Sequence, residues 1–257
     1  MIFSHQIGYD IAIGGIKMEN IELDVHTHTI ASGHAYSSLS EMVAGAKEKD
    51  IKLLGIVEHD QGIPGTCAPI YFKNLDVIPR EIEGIKLLLG IEINILDHQG
   101  RLSITEDLYD YVDYCMAGIH LHCYEAGTIE ENTRAVIETI KNPHISVIVH
   151  PDDGKCPLDY EKVVLAAKKY HTLLEVNNNA LRSPSRLNSR ENTLKMLQLC
   201  KQHRVKIILG SDAHIHFDIK NYDQIEELLK EVEFPKELIV NYHIEDFLEY
   251  IKKQVRY

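Results

Sequence analysis

Nine histidine and acidic residues of this chain stand at the ends of short apolar segments or in the loops just after them. Imidazole and carboxylate groups that share a pocket bind divalent cations, and mixed sets of this kind suit Zn²⁺, with Mn²⁺ or Fe²⁺ as alternatives. In His26-x-His28, a period of two places both imidazoles on one face of a strand end, where they can chelate one cation. The predicted metal ligands are His26, His28, His34, His59, Glu92, His120, His150, Asp212 and His214.

The elements that must position these residues follow from the alternation of apolar and amphipathic segments. Strands that alternate with helices are typical of βαβ units and a parallel sheet, and continuous apolar strands indicate a sheet covered on both faces. The predicted strands are residues 21–25, 51–57, 86–91, 113–119, 145–149, 172–176 and 205–209. The predicted helices are residues 39–49, 129–141, 159–170, 191–203, 222–231 and 244–253.

Seven strands without an intervening Pro/Gly/Ser-rich linker predict a single α/β domain built as a closed barrel. In parallel barrels the C-terminal ends of the strands open on one face, which carries the active site. Residues as distant in sequence as His26 and His214 are therefore expected in one pocket. A lone histidine is usually an ordinary surface or core residue, and it is the repetition at strand ends that predicts a metal site. Glu92 is the natural shared ligand, because a carboxylate has two oxygens and can bridge two cations.

Charge and cysteine content narrow the classes of function. The formal net charge of −12 argues against long nucleic acids, which are bound by clustered Lys and Arg. The five cysteines include no CxxC pair, which favours reduced thiols in a cytoplasmic protein over a disulfide framework. No apolar segment approaches the roughly 18 residues that span a bilayer, and the N-terminus lacks the pattern of a secretory signal. We therefore expect no membrane partner.

Residues 1–20 differ from the rest of the chain in showing little periodicity. Gly14-Gly15 stands shortly before Met18 and resembles a translated ribosome-binding site. We therefore predict that residues 1–20 are an N-terminal extension that is not native, and that translation naturally starts at Met18. The functional domain is predicted to span residues 21–257.

The chain resembles the PHP (polymerase and histidinol phosphatase) superfamily, and most closely its YcdX-like phosphatase branch. The resemblance rests on the nine residues and on the stretches Asp24-Val-His-Thr-His-Thr-Ile-Ala-Ser32, Gly90-Ile-Glu-Ile-Asn94, Leu174-Glu-Val-Asn-Asn178 and Leu209-Gly-Ser-Asp-Ala-His214. It implies a distorted (β/α)7 barrel, three divalent metal ions and a homotrimeric assembly. By this resemblance one ion is held by His26, His28, Glu92 and Asp212, a second by His34, His59 and His214, and a third by Glu92, His120 and His150.

Such a cluster of cations suits the hydrolysis of phosphate esters. It lowers the pKa of bound water toward neutrality and neutralises charge on the phosphoryl oxygens, so that no serine or cysteine nucleophile is needed. We predict attack by metal-bound hydroxide on the ester of a small phosphorylated metabolite. Asp212 or His214 is the candidate to protonate the leaving alcohol, and together with Glu92 they form the predicted catalytic set.

Three arginines follow the sixth predicted strand, and a guanidinium group matches the geometry of phosphate oxygens. Arg182 and Arg190 are two of them, and the resemblance favours the third, Arg186, as the substrate-binding residue. Asn177 and Asn178, just beyond the same strand, are the other predicted substrate contacts.

Two features depart from the usual family pattern. Glu58-His59-Asp60 stands where the family usually has Asp-His-Gly, which could alter the surroundings of His59. His122 adds a second HxH pair, and either faces solvent in a loop or contacts substrate.

Several alternative functions stay open on the sequence. Within the superfamily they are a histidinol-phosphate phosphatase and a phosphoesterase for nucleotides or short oligonucleotides. A deaminase of the amidohydrolase type is disfavoured, because it needs a bridging lysine on the fourth strand. The non-enzyme alternative is a metal-binding assembly module, although such modules commonly lose ligands and this chain retains all nine.

Overall fold

The computed structural model describes residues 18–251, so residues 1–17 of the predicted N-terminal extension lie outside the described part of the chain. The strands are β1 (Leu23–Thr27), β2 (Leu53–His59), β3 (Glu81–Ile82), β4 (Ile85–Asn94), β5 (Cys115–Gly118), β6 (Ile145–Ile148), β7 (Leu173–Asn177) and β8 (Ile207–Gly210). The α-helices are α1 (Leu39–Glu48), α2 (Pro69–Lys73), α3 (Ile129–Lys141), α4 (Tyr160–Tyr170), α5 (Asn178–Arg182), α6 (Ser189–His203), α7 (Asp223–Glu231) and α8 (Ile244–Leu248).

Seven of these strands form one parallel sheet in the order β1-β2-β4-β5-β6-β7-β8, and the short β3 pairs antiparallel with β4. The sheet curls into a nearly closed barrel, with helices joining most neighbouring strands. The prediction of a single-domain (β/α)7 barrel is therefore confirmed. Among the described residues, no helix is long and apolar enough to cross a membrane.

Two apolar cores hold the barrel together. The first takes one or more buried residues from each of the seven parallel strands, including Leu53, Leu88 and Met116, and fills the barrel interior. Phe247 of α8 belongs to this core and is fully buried. The second and larger core lies between the strands and the surrounding helices, which present apolar faces such as that of Val163 on α4. The interior core supports the strand ends from one side, so that polar side chains can meet at the other.

The barrel has a seam between β1 and β8, which share an isolated bridge between Thr27 and Ala213 rather than a ladder. The fully buried Asn241 closes this seam with its side chain. Its Nδ2 donates to the carbonyl of Leu23 on β1 at 3.2 Å and to that of Leu209 on β8 at 2.8 Å. Its Oδ1 accepts from the Leu209 N–H at 2.7 Å. One side chain thus replaces backbone pairing across the gap.

Replacing Asn241 by alanine is expected to lower the free energy of unfolding by about 3–5 kcal/mol, since three buried backbone groups lose their hydrogen-bond partners. Urea denaturation followed by circular dichroism measures this change. The matched control is Asn221→Ala, because Asn221 is only partly buried and its amide makes one long hydrogen bond, to Asp218. Equal losses in the two variants would contradict the role of Asn241 at the seam.

The structure also differs from the predicted elements in several places. α2, α5 and β3 were not predicted, because segments of two to five residues are too short to show periodicity. β5 begins at Cys115 rather than at residue 113, since the Asp113 carboxylate accepts a hydrogen bond from the Leu89 N–H at 2.8 Å. α8 ends at Leu248, whereas the predicted helix continued to residue 253, beyond the described residues.

Candidate metal centre

Glu92 lies at the centre of an imidazole cluster and is fully buried. It projects from β4, two residues before the end of that strand. Its Oε1 is 3.0 Å from Nε2 of His120 and 3.0 Å from Nε2 of His150. These two histidines follow β5 and β6, the next two strands of the barrel. The parallel order therefore brings three consecutive strand ends onto one carboxylate oxygen.

The other oxygen of Glu92 faces a different set of imidazoles. Oε2 is 3.0 Å from His59 Nδ1 and 3.4 Å from Nε2 of both His26 and His28. All four atoms are buried, yet none has a hydrogen-bond partner of acceptable geometry. Buried polar atoms are rarely left unpaired in folded proteins. Four such atoms that converge on one point fit a bound cation, and the other imidazole set lies on the second oxygen of the same carboxylate.

Asp212 and His214 complete the cluster from the loop after β8. Asp212 Oδ1 is 3.2 Å from His28 Nε2 and 3.6 Å from His26 Nε2. The His214 ring lies 4.5 Å from that of His28 and 4.8 Å from that of His34, centroid to centroid. The structure thus brings all nine predicted residues together, although His34 is exposed at the rim.

Within residues 18–251, three groups of side chains place their ligand atoms within 4.8 Å of one another. The group of His26, His28 and Glu92 matches three members of the first predicted ion site. The other two groups divide the residues differently from the prediction. They consist of His28 with His59 and His214, and of His59 with Glu92 and His120. The assignment of residues to individual ions therefore stays a prediction.

Two members of the cluster have unusual backbone conformations. His150 and Asp212 have φ angles of 31° and 54°, in the left-handed region that favours glycine. Such a conformation costs about 1–3 kcal/mol and persists only where the surrounding structure imposes it. Glycine would remove this strain but would supply no ligand. The surrounding contacts keep His150 in place, since its N–H donates to Glu175 and its carbonyl accepts from Arg186.

Glu175 on β7 is a functional residue that the spacing of residues in the sequence did not reveal. Its Oε1 is 2.5 Å from His26 Nδ1, and its Oε2 accepts from the His150 N–H at 2.8 Å and from Asn177 Nδ2 at 3.0 Å. The contact with Nδ1 leaves His26 Nε2 aimed at Glu92 and Asp212. Carboxylates commonly orient metal-binding histidines in this way. A glutamate within the apolar β7 was the available signal, but only the fold shows its partner.

Glu58 and Asp60, which depart from the family pattern, serve different parts of the site. The buried Glu58 carboxylate accepts from the hydroxyls of Thr29 and Ser32. Ser32 Oγ in turn lies 3.3 Å from His28 Nδ1, so that this chain of contacts orients His28. Asp60 accepts from Asn94 Nδ2 at 2.5 Å and from the Gly62 N–H at 2.9 Å, which fixes the loop after β2.

Burial and neighbouring charges shift the pKa values of the groups in this cluster. Burial alone would raise the pKa of Glu92, but the imidazoles around it, His59 and His26 foremost, hold that pKa well below its usual range. The pKa of Asp212 is likewise held well below its usual range, mainly by His26, against the effect of burial. Burial lowers the pKa of His150 to about 4. At neutral pH these carboxylates are therefore ionised and His150 is neutral, as cation binding requires. His26 differs, because the carboxylates of Glu175 and Asp212 outweigh burial and raise its pKa well above the usual range, so that it must give up a proton to bind a cation.

An open cleft of about 670 Å³ leads to this cluster, and Arg186 lies on its wall. The Arg186 guanidinium donates to Asp152 Oδ1 at 2.9 Å and to the His150 carbonyl at 3.0 Å. Burial raises the pKa of Asp152 to about 7, although Arg186 opposes that rise. Arg186 is thus held beside the metal cluster by two fixed partners. The other two candidate arginines pair at the surface, Arg182 with Asp218 and Arg190 with Glu231.

The asparagines after β7 have separate roles. Asn177 is buried, caps α5 through the Ala180 N–H at 2.8 Å and donates to Asp212 Oδ2 at 3.3 Å. The structure does not bring the Asn178 side chain into the cleft, because it donates to Asp223 at the start of α7. Asn179, which was not predicted, lines the cleft instead. His122 lines the cleft and is also exposed to solvent, so both of its predicted roles stay open.

Comparison with protein families decides where the chain belongs. Residues 24–181 match the PHP domain, a span that contains seven of the nine clustered residues and Glu175. The chain belongs to the PHP family.

Relatives of this PHP chain are matched over almost their whole length. A probable phosphatase of Caldicellulosiruptor bescii is 44% identical over 232 residues, which cover 90% of this chain and 96% of that protein. A probable phosphatase of Clostridium novyi is 43% identical over 232 residues, which cover 90% of this chain and 95% of that protein. These relatives confirm the prediction of a phosphoric ester hydrolase.

A solved structure shows the same architecture. The histidinol phosphate phosphatase of Lactococcus lactis, crystallised with zinc, L-histidinol and phosphate, matches this PHP chain with a TM-score of 0.60 at 18% identity. The match covers 83% of this chain and 94% of that chain. At this identity the likeness is one of fold, and it supports the (β/α)7 barrel.

Proposed function

We propose that this chain is a metal-dependent phosphatase that hydrolyses esters of small phosphorylated metabolites at a site for three divalent cations, with zinc best suited. The observation that carries the proposal is the convergence of unpaired buried atoms around Glu92. His26 Nε2, His28 Nε2 and His59 Nδ1 all point at its Oε2 without a hydrogen bond. An imidazole-rich set with two carboxylates and no thiol suits Zn²⁺ better than Mg²⁺ or Ca²⁺.

The residues present fit the cations that the family implies. Bound divalent cations lower the pKa of water and neutralise phosphoryl oxygens. The chain itself holds the ligands in place, with Glu175 orienting His26 and the Glu58–Ser32 contact orienting His28. Arg186 supplies a fixed positive charge on the cleft wall, where it can bind a phosphoryl oxygen.

Of the two candidates to protonate the leaving alcohol, His214 is favoured over Asp212. This role requires a proton on His214 Nε2 and therefore excludes Nε2 as a ligand of the second cation. Asp212 is ionised at neutral pH because its pKa is held well below its usual range, and it therefore has no proton to give. His214 is partly exposed, lines the cleft and contacts the Asp212 carbonyl through Nδ1 at 2.9 Å. That contact leaves Nε2 as the free nitrogen of the ring.

Metal analysis and a phosphatase assay test this function together. The purified protein should carry about three equivalents of Zn, Mn or Fe, and should hydrolyse an aryl phosphate monoester in a chelator-sensitive manner. Less than one equivalent after gentle purification would overturn the three-cation site. Absence of chelator-sensitive turnover on mono- and diesters would instead favour a metal-binding assembly module.

Glu175→Gln is expected to lower metal affinity by about 10–100-fold, because the partner that orients His26 loses its charge. The substitution keeps the size of the side chain, so the barrel should stay folded. Competition with a metal-sensitive chromophoric chelator measures the affinity. Glu48→Gln, at an exposed position of α1, is the matched control and should leave the affinity unchanged.

Arg186→Lys is expected to raise KM for a phosphate monoester by about 10–100-fold, since lysine cannot reproduce the forked contact of guanidinium with phosphate. Steady-state kinetics on the metal-loaded protein measure this effect. Arg190→Lys makes the same change at an exposed arginine that pairs with Glu231, and should behave as the wild type. An unchanged KM in Arg186→Lys would remove Arg186 from the substrate site.

A further inference from the structure

A second cavity opens beside the metal cluster and has a different chemical character. It has a volume of about 400 Å³ and lies between the ends of β5 and β6, α3 and the loop after β6. Its inner part is formed by the buried apolar side chains of Ile95, Val136, Ile148 and Leu158. A concave pocket with mostly apolar walls and a few polar groups is the usual form of a small-molecule site.

This apolar pocket is continuous with the metal cleft. His120, His150 and Arg186 line both cavities. The two histidines are those that place Nε2 at 3.0 Å from Glu92 Oε1. A phosphate ester bound on that side of Glu92 therefore has the mouth of the apolar pocket next to it.

The mouth of the pocket is held by hydrogen bonds within the folded chain. Asp153 Oδ1 accepts from the Leu187 N–H at 3.1 Å, and the Gly154 N–H donates to the Leu187 carbonyl at 2.7 Å. The carbonyl of Pro151 accepts from the Tyr160 hydroxyl at 2.8 Å. The loop that forms the mouth is thus tied to the segment before α6 and to α4, as expected of a pre-formed ligand pocket.

We propose that this pocket binds the alcohol portion of the substrate, and that the preferred substrates are phosphate monoesters of alcohols with an aliphatic or aromatic body. The inference rests on the proposed phosphatase function and names its substrate class. The pocket lining also includes the polar side chains of His122, Asp153, Lys155 and Ser185. The four buried side chains named above offer only hydrocarbon, and a sugar or polyol packed against them would lose hydrogen bonds to water. A hydrocarbon body gains free energy from the same transfer.

A series of primary alkyl phosphates tests the proposal, because their alcohols have similar acidity and differ mainly in apolar area. Between ethyl phosphate and hexyl phosphate, kcat/KM is expected to rise by about 100-fold. A value of kcat/KM that does not change along the series would overturn the pocket assignment while leaving the phosphatase function intact. No turnover of any ester in the series would instead count against the phosphatase function.

Val136→Phe fills the pocket and is expected to reduce the ratio of kcat/KM for hexyl over ethyl phosphate to near one. Val77→Phe makes the same change at a side chain that is 71% exposed and far from the cleft, and should leave the ratio at its wild-type value. Where Val136→Phe does not fold, Leu158→Ala enlarges the pocket instead. That variant should raise kcat/KM for 3-phenylpropyl phosphate relative to hexyl phosphate by about 10-fold, and an unchanged ratio would overturn the proposal.

Binding of non-hydrolysable alkylphosphonates separates the pocket from the chemistry. Calorimetry should show that hexylphosphonate binds about 100-fold more tightly than ethylphosphonate, with a more negative heat-capacity change from burial of apolar area. This preference is expected even if hydrolysis fails for another reason. Equal affinities in the wild type, or an undiminished preference in a folded Val136→Phe variant, would place the alcohol elsewhere.

Discussion

Glu92→Ala is expected to abolish phosphate ester hydrolysis and to lower the metal content by more than one ion. Both oxygens of Glu92 face imidazoles, Oε1 toward His120 and His150 and Oε2 toward the other set. Removing one carboxylate therefore affects two groups of ligands at once. The loss of activity should exceed the 10–100-fold effect typical of residues that only orient a metal ligand. Metal analysis and kinetics on the same preparation measure both effects.

The matched control for this variant is Glu161→Ala, in the first turn of α4, whose side chain is 61% exposed. It should keep wild-type metal content and activity. A Glu92→Ala protein that is folded by circular dichroism and loses one ion or none would show that Glu92 does not bridge cations. Retained hydrolysis in that protein would place the chemistry away from Glu92.

Removal of the metals by a chelator is expected to abolish activity and to lower the melting temperature strongly. A ligand present at 1,000 times its Kd stabilises the folded state by about 4 kcal/mol per site, and this contribution disappears when it is removed. The buried nitrogens of His26, His28 and His59 are then left without partners. Differential scanning calorimetry with and without chelator measures the shift, and added Zn²⁺ should reverse it.

The Glu92→Ala variant again provides the control, because it should show a much smaller chelator-induced shift of the melting temperature than the wild type.

Acid should lower metal affinity, and so act in the same direction as the chelator. Burial disfavours a charged His26, but the carboxylates of Glu175 and Asp212 outweigh burial and raise its pKa well above the usual range. Protons therefore compete with a cation for His26, so that metal affinity falls as the pH is lowered. A melting temperature indifferent to chelator in a metal-loaded sample would contradict the structural importance of the ions.

The sequence predicted the location of the ligands well because one geometric rule controls it. In a parallel barrel every strand end opens on the same face, so residues that follow strands must meet there whatever their distance in sequence. The locations of His59, Glu92 and His150 could therefore be predicted without knowing which residues surround them in the fold. The rule does not specify the distances between ligand atoms, so it could not predict which ligands bind which ion.

The residues that orient the ligands or line the cleft could not be predicted from the sequence for a different reason. Glu175 sits inside an apolar strand, where a carboxylate is costly unless it is paired, and its partner His26 lies on another strand. The choice between Asn178 and Asn179 depends on the direction of the short helix α5, which has no periodic signature. Roles of this kind depend on the direction of a side chain in the folded protein, which residue spacing alone does not specify.

The seam between β1 and β8 has a consequence for the assembly of the site during protein synthesis. His26 and His28 belong to β1 or follow it directly, whereas Asp212 and His214 follow β8, so that the metal centre spans the joint between the first and last strands. On the ribosome the N-terminal part of a chain emerges first. A product of interrupted translation that stops before β8 carries the first histidines but cannot assemble the complete set of ligands. On the proposed function, full loading with metal therefore requires translation through β8 and the loop after it, and shorter products are expected to be inactive.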